Sequence, residues 1–344
     1  MNTMKKIIAL CLVAVLTLGC FAACGNSEQT ETTAPVATED PAEAKVLKVL
    51  TLGHSLATNA TRLLALIANA EGYEDMVVGT LYYSGCPLSK HVEFLTNNSR
   101  EYTFYVSSTT TANEPPKGMD GASMLDAITY DYWDVIVMQG GTSDLVLDTT
   151  YTNGDIQTIQ KYVNEHKKNP NAVFSWHMPW AFATDPDLAS ESPFKGLYES
   201  YDNDRVKLFD AFAKLVNDYI VTDETFVSLI PSGAAVENAI TSYMTEKDML
   251  CDYAHATDLG RVIAAYTYFC VLTGVEKLDQ VKLDAIPKRL VSTSIVSGDR
   301  VLTDADKALI IESVNNALAN PLQITQSQYT QEPEGYIQVP NKDG

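Results

Sequence analysis

The stretch VLKVLTLGHSL, Val46–Leu56, decides the fold of this chain. Its first seven residues form a compact and mostly apolar run, which is typical of a buried β-strand. A short Gly-His-Ser segment ending at Ser55 follows, and residues 58–70 then carry leucines and an isoleucine at helical spacing. A strand that leads through a polar turn into a helix is the unit from which parallel α/β sheets are built.

The same alternation continues along the chain, with apolar or β-branched runs that predict strands and longer periodic runs that predict helices. The further predicted strands are Met76–Tyr82, Tyr102–Ser107 (an edge strand or hairpin arm), Trp133–Met138, Ala172–His177 and Phe226–Ile230. The further predicted helices are Ala122–Ile128, Asp155–Lys167, Asp204–Tyr219, Thr257–Leu272 and Asp304–Leu318, and Ser108–Gly121 is predicted to be a loop. We expect one α/β domain over residues 46–320, a flavodoxin-like three-layer α/β/α sandwich with a central parallel sheet.

The charge composition of the chain indicates which binding partners to exclude. The 344 residues carry a formal net charge of −20, and no dense stripe of lysine and arginine interrupts it. Such a chain is repelled by nucleic acid and by anionic membrane surfaces, so we expect no nucleic-acid partner. The sequence also contains neither a phosphate-cradling Gly-x-x-x-x-Gly-Lys loop nor a dinucleotide fingerprint, and we predict no cofactor.

The N-terminus has the pattern of a targeting segment. Lys5 and Lys6 precede the apolar run Ile7–Leu18, which is too short for a stable membrane span. Small residues then lead to Cys24, as in a bacterial lipoprotein signal whose cysteine is lipidated and begins the mature chain. We expect a signal at residues 1–24 and a location at the extracellular face of a bacterial membrane. Cleavage before Cys20 and an ordinary secretory signal are the alternatives.

The two segments that flank the domain have the composition of loose chain, and the first carries almost no large apolar residue. Residues 25–45 are rich in Thr, Glu, Ala and Pro, and residues 321–344 are rich in Gln, Pro and Gly. Segments of this composition bury too little surface to order themselves. We therefore predict a disordered tether before the domain and a loose tail after it.

The domain keeps three cysteines, Cys86, Cys251 and Cys270. Cys86 adjoins a glycine turn and Cys251 adjoins an aspartate, so a disulfide between them is one interpretation in an extracellular protein. The other is three buried, reduced thiols, which an odd number of cysteines favours.

Four short segments carry groups suited to acyl transfer: Gly53–Leu56, Tyr83–Cys86, Gln139–Asp144 and Asp252–His255. The first three each follow a predicted strand, and the ends of parallel strands meet at one edge of a sheet. The Asp-x-x-His spacing places a carboxylate and an imidazole on one side of a turn. The alternatives are a helix-capping serine and an N-capping aspartate beside a surface histidine.

The order of these segments resembles the SGNH (GDSL-type) hydrolase superfamily over about residues 46–272. The matching residues are Ser55, Gly85, the Gly141-Thr142-Ser143-Asp144 block, and Asp252 with His255. The resemblance implies that Ser55 is the nucleophile, that His255 is the general base and that Asp252 orients it. It also implies an oxyanion hole that includes the backbone N–H groups of Ser55 and Gly85, on an SGNH hydrolase-like fold.

Two positions depart from that pattern. His54 stands where the family usually has an acidic residue, and Ser143 stands where it has an asparagine. The amide of Gln139 can supply the missing donor, and we favour it over Ser143. Gln139-Gly140 is similar to carbohydrate-acetylesterase branches of the superfamily. An oxyanion hole that lacks one donor loses about 3 kcal/mol of transition-state stabilisation.

The segment Ser175–Trp180 suggests how a sugar is bound. Trp176 and Trp180 can form a platform for a sugar ring, and His177, like His54, can bond a hydroxyl of the substrate. For His54 the other interpretation, which we favour, is a partly buried ring hydrogen-bonded to a loop. The alternative is that both tryptophans are core packing. Zinc bound by His54, His177, His255 and Asp252 is a further alternative, but no metal-ligand spacing supports it and we predict no metal.

Two functions remain after these arguments. The first is a lipid-anchored serine esterase that removes acetyl or other small acyl groups from a carbohydrate. The second is a weakly active or inactive glycan-binding lipoprotein on the same fold, which the altered asparagine and His54 motivate.

Overall fold

The central sheet is built from the predicted apolar runs. The computed structural model describes residues 46–73, 75–112, 116–141, 145–190, 192–282, 303–334 and 336. The signal and tether therefore lie outside the described residues, as do Thr142–Asp144. Within the described part, the strands are β1 (Leu47–Gly53), β2 (Met76–Tyr82), β3 (Tyr102–Ser108), β4 (Lys117–Ala122), β5 (Val135–Met138), β6 (Val173–His177) and β7 (Phe226–Ile230).

Seven strands form one mixed sheet in the order β4-β3-β2-β1-β5-β6-β7. The five strands β2, β1, β5, β6 and β7 are parallel to their neighbours within this group. Strand β1 is the central strand of the seven. The prediction of a parallel sheet is wrong for β3 and β4, because β3 runs antiparallel to β2 and β4 antiparallel to β3. The predicted loop over Ser108–Gly121 is wrong for β4, because this exposed edge strand carries charged residues and glycines in place of an apolar run.

Helices cover both faces of the sheet, and the three-layer α/β/α prediction is confirmed. The helices in the described residues are α1 (Ser55–Thr61), α2 (Leu64–Ala70), α3 (Leu88–Asn97), α4 (Met124–Ile128), α5 (Asp148–Thr152), α6 (Asp155–His166), α7 (Pro186–Ala189), α8 (Lys195–Ser200), α9 (Arg205–Tyr219), α10 (Ser232–Ile240), α11 (Glu246–Met249), α12 (Asp258–Thr273) and α13 (Asp304–Ala319). The apolar α12 packs against α1, α2, α10 and α13, whereas α3, α4 and α6 pack against one another. No helix of the described residues is both long and apolar enough to cross a membrane.

The described part of the C-terminal tail is bound to the domain. The N–H of Thr325 donates to Asn238 Oδ1 at 2.6 Å, and the N–H of Ser327 donates to Thr241 Oγ1 at 2.8 Å. The N–H of Tyr243 donates to the carbonyl of Tyr329 at 2.9 Å. The prediction of a loose tail is therefore wrong for these residues, because polar hydrogen bonds to α10 and its C-terminal turn hold a segment that hydropathy alone leaves unassigned. Residues 337–344 lie outside the described part.

The cysteine thiols settle the question of a disulfide. The thiol of Cys86 donates to the Pro87 carbonyl at 3.7 Å, and that of Cys251 donates to the Ala256 carbonyl at 3.8 Å. The two residues are therefore not bridged to each other.

Candidate active site

Ser55 is the first residue of α1, directly after the central strand. The helix is capped by His54, whose Nδ1 accepts a hydrogen bond from the N–H of Leu56 at 3.4 Å. The alternative in which Ser55 is itself the capping residue is wrong. The half-buried Ser55 side chain is therefore not needed for capping, and its own N–H, at the first helical position, has no acceptor within the helix.

His54 is a buried structural residue. Its Nε2–H donates to the Gly140 carbonyl at 2.9 Å, so both ring nitrogens are used in joining the β1–α1 turn to the segment after β5. Burial lowers the pKa of His54 to about 4, which the Gly140 bond opposes and the field of His255 reinforces. A neutral ring with no exposed surface contacts no substrate, so the assignment of His54 to substrate binding is wrong.

Gly85 lies in the turn that follows β2. The turn is closed by a hydrogen bond from the N–H of Cys86 to the Tyr83 carbonyl at 3.3 Å, and Gly85 has a φ of 58°, in the left-handed region that favours glycine. The N–H of Tyr83 lies 3.5 Å from the Gly53 carbonyl, two residues before the serine. The Gly85 turn therefore sits beside the start of α1, as the predicted oxyanion hole requires.

Gln139 follows β5 and packs directly against Gly53. A Cβ atom at Gly53 would lie 2.8 Å from Gln139 Oε1 and 2.8 Å from the Cβ of Ala57, so only glycine fits there. The Gln139 side chain is buried, and neither end of its carboxamide has a hydrogen-bond partner among the described residues. Ser143, the less favoured oxyanion donor, lies outside the described residues.

Asp252 and His255 form the predicted pair. His255 Nδ1–H donates to Asp252 Oδ2 at 2.7 Å, and Asp252 Oδ1 accepts the N–H groups of Ala254 at 2.8 Å and His255 at 2.7 Å. Partial burial acts to raise the pKa of Asp252, but these hydrogen bonds outweigh it and the pKa is lowered. The carboxylate is thus held ionised in one orientation, which fixes the imidazole and leaves its Nε2 without a partner among the described residues.

Asn59 connects the serine to the histidine. Its Nδ2 donates to the Ser55 carbonyl at 3.0 Å, and its Oδ1 accepts the N–H of Ala256 at 2.8 Å. The two predicted segments, 200 residues apart in the chain, therefore share one side-chain carboxamide. In the described residues Ser55 Oγ makes no hydrogen bond to His255, although such catalytic contacts are often long in unliganded sites.

A buried ion pair supports Asp252–His255, which we call the histidine segment. Arg205 donates through Nε and Nη2 to the two carboxylate oxygens of Glu237 at 2.6 and 2.8 Å, and through Nη1 to the Phe182 carbonyl. The residues around Phe182 in turn bond the histidine segment. The N–H of Ala183 donates to the Tyr253 carbonyl at 2.8 Å, and Trp180 Nε1–H donates to the Ala254 carbonyl at 2.7 Å.

The predicted sugar platform is wrong. Trp176 and Trp180 have no exposed surface. Trp176 packs edge-on against Phe226 in the core. Trp180 donates its indole N–H to the Ala254 carbonyl of the histidine segment. The alternative interpretation, core packing, is the one that the structure supports. The aromatic side chain beside His255 is instead the half-buried Tyr253, with ring centroids 6.2 Å apart.

His177 lies in the buried row at the ends of the parallel strands. The residue before it, Trp176, pairs with Met138, which precedes Gln139 and pairs with Leu52, the residue before Gly53. His177 packs edge-on against Tyr268 of α12 with ring centroids 4.9 Å apart, and burial lowers its pKa to about 3. Neither ring nitrogen has a partner among the described residues, and the ring has no exposed surface to offer a sugar. Its assignment to direct substrate binding is therefore wrong for this conformation.

The zinc alternative has no structural support. Among the described residues no group of three or more His, Cys, Asp or Glu side chains is placed to hold a metal ion. His54 is unsuitable because both of its ring nitrogens are already hydrogen-bonded.

Sequence reasoning missed three residues near this site. Asn59 was recognisable only from its position one helical turn after Ser55, and Tyr253 from its place inside the Asp-x-x-His block. His91 of α3 is buried, donates to or accepts from the Tyr102 hydroxyl at 2.8 Å, and lies close enough to His54 for their fields to interact. No spacing signal pointed to it.

A family model for a domain of unknown function, DUF4886, matches residues 48–293. The chain belongs to the DUF4886 family. A crystal structure of a DUF4886 protein from Bacteroides uniformis is similar, with 22% identity and a TM-score of 0.68 over 83% of this chain and all of that one. The likeness shows that the two proteins share their fold.

Two further solved structures resemble this DUF4886 protein more remotely. One is a proposed SGNH hydrolase from Slackia heliotrinireducens, with 17% identity and a TM-score of 0.40 over 65% of this chain and 98% of that one. The other is a carbohydrate esterase family 2 enzyme with a carbohydrate-binding domain from Corynascus thermopiles (Myceliophthora fergusii), with 15% identity and a TM-score of 0.37 over 71% and 68%. No curated protein matches the sequence.

Proposed function

We propose that this DUF4886 protein is a serine ester hydrolase. The observation that carries the proposal is the Asn59 carboxamide, which bonds both the Ser55 carbonyl and the N–H that follows His255. It supports a site in which a hydroxyl at a helix start faces an imidazole that a carboxylate orients.

In the proposed reaction Ser55 Oγ attacks the carbonyl carbon of an ester, and its proton passes to His255 Nε2. The resulting imidazolium is stabilised by Asp252. The N–H groups of Ser55 and Gly85 donate to the developing oxyanion. The Gln139 carboxamide has no exposed surface, so it becomes a third donor only when it turns out of its buried position. His255 returns the proton to the leaving alcohol and then activates the water that releases the acid from Ser55.

For the substrate we propose a carbohydrate that carries acetyl or another small acyl group. The support is the sequence resemblance to SGNH hydrolases, and the Gln139-Gly140 pair that is similar to their carbohydrate-acetylesterase branches. The Tyr253 ring beside His255 adds an aromatic side chain of the kind that packs against a sugar.

The test is hydrolysis of an aryl acetate by the wild type and by Ser55→Ala, with the exposed Ser89→Ala of α3 as the matched control. We expect Ser55→Ala to lower kcat by at least about 10⁴-fold and Ser89→Ala to leave it unchanged. Equal rates for the wild type and Ser55→Ala would contradict the proposal. Labelling of Ser55 by a serine-reactive phosphonate is an independent readout, and an oligosaccharide-binding protein that never reacts would favour the glycan-binding alternative.

We further propose that the protein is lipid-anchored through Cys24 at the extracellular face of the membrane. The basic, apolar and small-residue order before Cys24 supports this. In cells fed a labelled fatty acid, the wild type is expected to carry the label and to enter the detergent phase on separation. Cys24→Ser should abolish both, whereas Cys20→Ser should leave both intact, and the reverse pattern would move the anchor to Cys20.

A further inference from the structure

A groove lies beside the helix that carries Ser55, on the face of the sheet that α1 covers. It encloses about 160 Å³. Its walls and floor are formed by Thr58, Thr61, Arg62, Val78, Thr80, Tyr105, Ser107 and Pro116. Thr58 follows Ser55 by three residues, so the near end of the groove begins about one helical turn, roughly 5 Å, from the proposed nucleophile.

The floor of the groove leads toward the same end of the sheet as the proposed active site. Alternate residues of β2 point to one face, so Tyr82 lies on the face of Thr80 and one step nearer to the strand end. Tyr82 pairs in register with Gly53, and its ring lies 6.2 Å from that of Tyr105 in the groove. The side chains of Tyr105 and Tyr82 therefore connect the groove to the turn that carries Ser55.

The lining suits a sugar more than an acyl chain. The Thr61 and Thr80 hydroxyls are buried and bond each other at 2.8 Å, so the hydroxyls that remain for a ligand are those of the half-buried Thr58 and Tyr105. Thr61 in turn donates to the Ala57 carbonyl, which holds the pair in place. The half-buried Tyr105 adds an aromatic ring, and an aromatic ring with nearby hydroxyls can pack against and hydrogen-bond a sugar.

Arg62 supplies a cation at the groove. Its side chain is exposed, although the protein is strongly acidic. Asp258 feels the field of Arg62 but gives its ion pair to Arg261, whose Nη1 lies 2.9 Å from Asp258 Oδ1. Among the described residues no carboxylate forms an ion pair with the Arg62 guanidinium, whose planar donors match a carboxylate in two-point geometry.

We propose that this groove binds a single acidic sugar, of the uronic-acid type, adjacent to the sugar that carries the ester. The inference rests on the proposed function and names its substrate more closely. The volume is smaller than that of most ligand pockets and fits one ring rather than a chain. Arg62 binds the carboxylate of that sugar, and Tyr105 packs against its ring.

The binding test needs no catalysis. An unacetylated uronic-acid disaccharide is titrated calorimetrically into the full-length protein, and its carboxyl-reduced counterpart and inorganic phosphate serve as comparison ligands. We expect Arg62→Gln to weaken binding of the disaccharide by about tenfold or more. The exposed Arg100→Gln, which removes an arginine that pairs with Asp126, should leave binding unchanged.

The proposal is overturned if the wild type does not bind the disaccharide, if the reduced disaccharide binds equally well, or if Arg62→Gln binds without loss. Binding of phosphate as tightly as the disaccharide would also overturn it, because the groove would then recognise charge without the sugar. Failure of the proposed esterase function gives a different result from failure of the groove proposal. A wild type that binds the disaccharide through Arg62 but never hydrolyses its acetylated form keeps the groove and loses the esterase.

Discussion

Asn59 acts at the scale of a single side chain, because one carboxamide has both a donor and an acceptor to offer. Asn59 lies in α1 and is nearly buried. Its Nδ2 donates to the carbonyl of Ser55 in the same helix, and its Oδ1 accepts the backbone N–H that follows His255. Arg261 Nε lies 3.5 Å from the same oxygen. No apolar residue of similar size can hold both backbone groups, so the relative position of serine and histidine depends on this residue.

Replacement of Asn59 tests this dependence. Asn59→Leu keeps the number and branching of the side-chain heavy atoms but removes both hydrogen bonds, and leaves the Ala256 N–H buried and unpaired, which costs about 1–3 kcal/mol of stability. We expect kcat for an aryl acetate to fall by about 10- to 100-fold with little change in KM, because the reacting groups are misplaced while the binding surface remains.

The matched control for Asn59 is Asn217→Leu, on the exposed side of α9, where the side chain bonds only the neighbouring Asp218. This variant should retain both activity and stability. Unchanged kcat in a folded Asn59→Leu protein would show that the two segments are positioned without the bridge.

At the scale of elements, the segment between β6 and α9 positions the histidine segment. Its backbone is held by the buried pair of Arg205 and Glu237, and it holds residues 253 and 254 through the Ala183 N–H and the Trp180 indole. A buried pair of this kind is weak evidence of stability, because its desolvation offsets its attraction. Here the pair instead fixes the position of the segment that holds His255 relative to α9.

Trp180→Phe tests one of the contacts that fix this position. The change removes the N–H that bonds the Ala254 carbonyl and keeps most of the buried ring. Trp133→Phe is a close control, because Trp133 Nε1–H also bonds a buried backbone carbonyl, that of Ala127, at 2.8 Å.

We expect both tryptophan variants to lose about 1–2 kcal/mol of stability in chemical denaturation, since each loses one buried hydrogen bond. Only Trp180→Phe should lower kcat, by several-fold, and change the pH profile of kcat/KM, because only its carbonyl belongs to the histidine segment. Parallel losses of activity in the two variants would assign the effect to general destabilisation.

The same scale explains which elements the sequence predicted. β1, β2, β5, β6 and β7 were found because buried parallel strands are continuous apolar runs. β4 was missed because an exposed edge strand is polar, and α3 was missed because its core-facing side includes His91, which hydropathy counts as polar. The predicted helix over residues 58–70 is two helices, α1 and α2, since the chain turns at residues 62 and 63.

At the scale of the whole molecule, the site was predictable wherever it depends on strand order. Because parallel strands end at one edge, Ser55, Gly85 and Gln139 were expected near one another, and the Asp252–His255 pair followed from its spacing. Burial was not predictable in the same way. Four side chains near the ends of strands, where the sequence predicts an accessible edge of the sheet, are completely buried: His54, Trp176, His177 and Trp180. Helices and loops that are distant in the chain cover them.

That burial has a consequence for stability at low pH. Desolvation holds the pKa of His54 at about 4 and those of His91 and His177 at about 3, below the ordinary value of 6.5. Below pH 6.5 the unfolded chain binds protons that the folded protein refuses, so stability falls as the pH drops from 6.5 toward 3–4. Burial raises the pKa of Asp258 to about 6 and also raises the pKa of Glu237, and both shifts have the opposite sign, but these two carboxyls oppose three histidines.

We therefore expect the free energy of unfolding to be lower at pH 5 than at pH 7, with each of the three histidines contributing about 2 kcal/mol to the difference. His177→Phe preserves an aromatic ring against Tyr268 and removes one titrating group, so its difference between the two pH values should be smaller than that of the wild type by about 2 kcal/mol. His91→Gln should give a second, independent reduction. Urea unfolding at both pH values measures each difference. Variants that retain the full wild-type loss would mean that the buried imidazoles take up protons in the folded protein, and that acid sensitivity arises from the carboxylates instead.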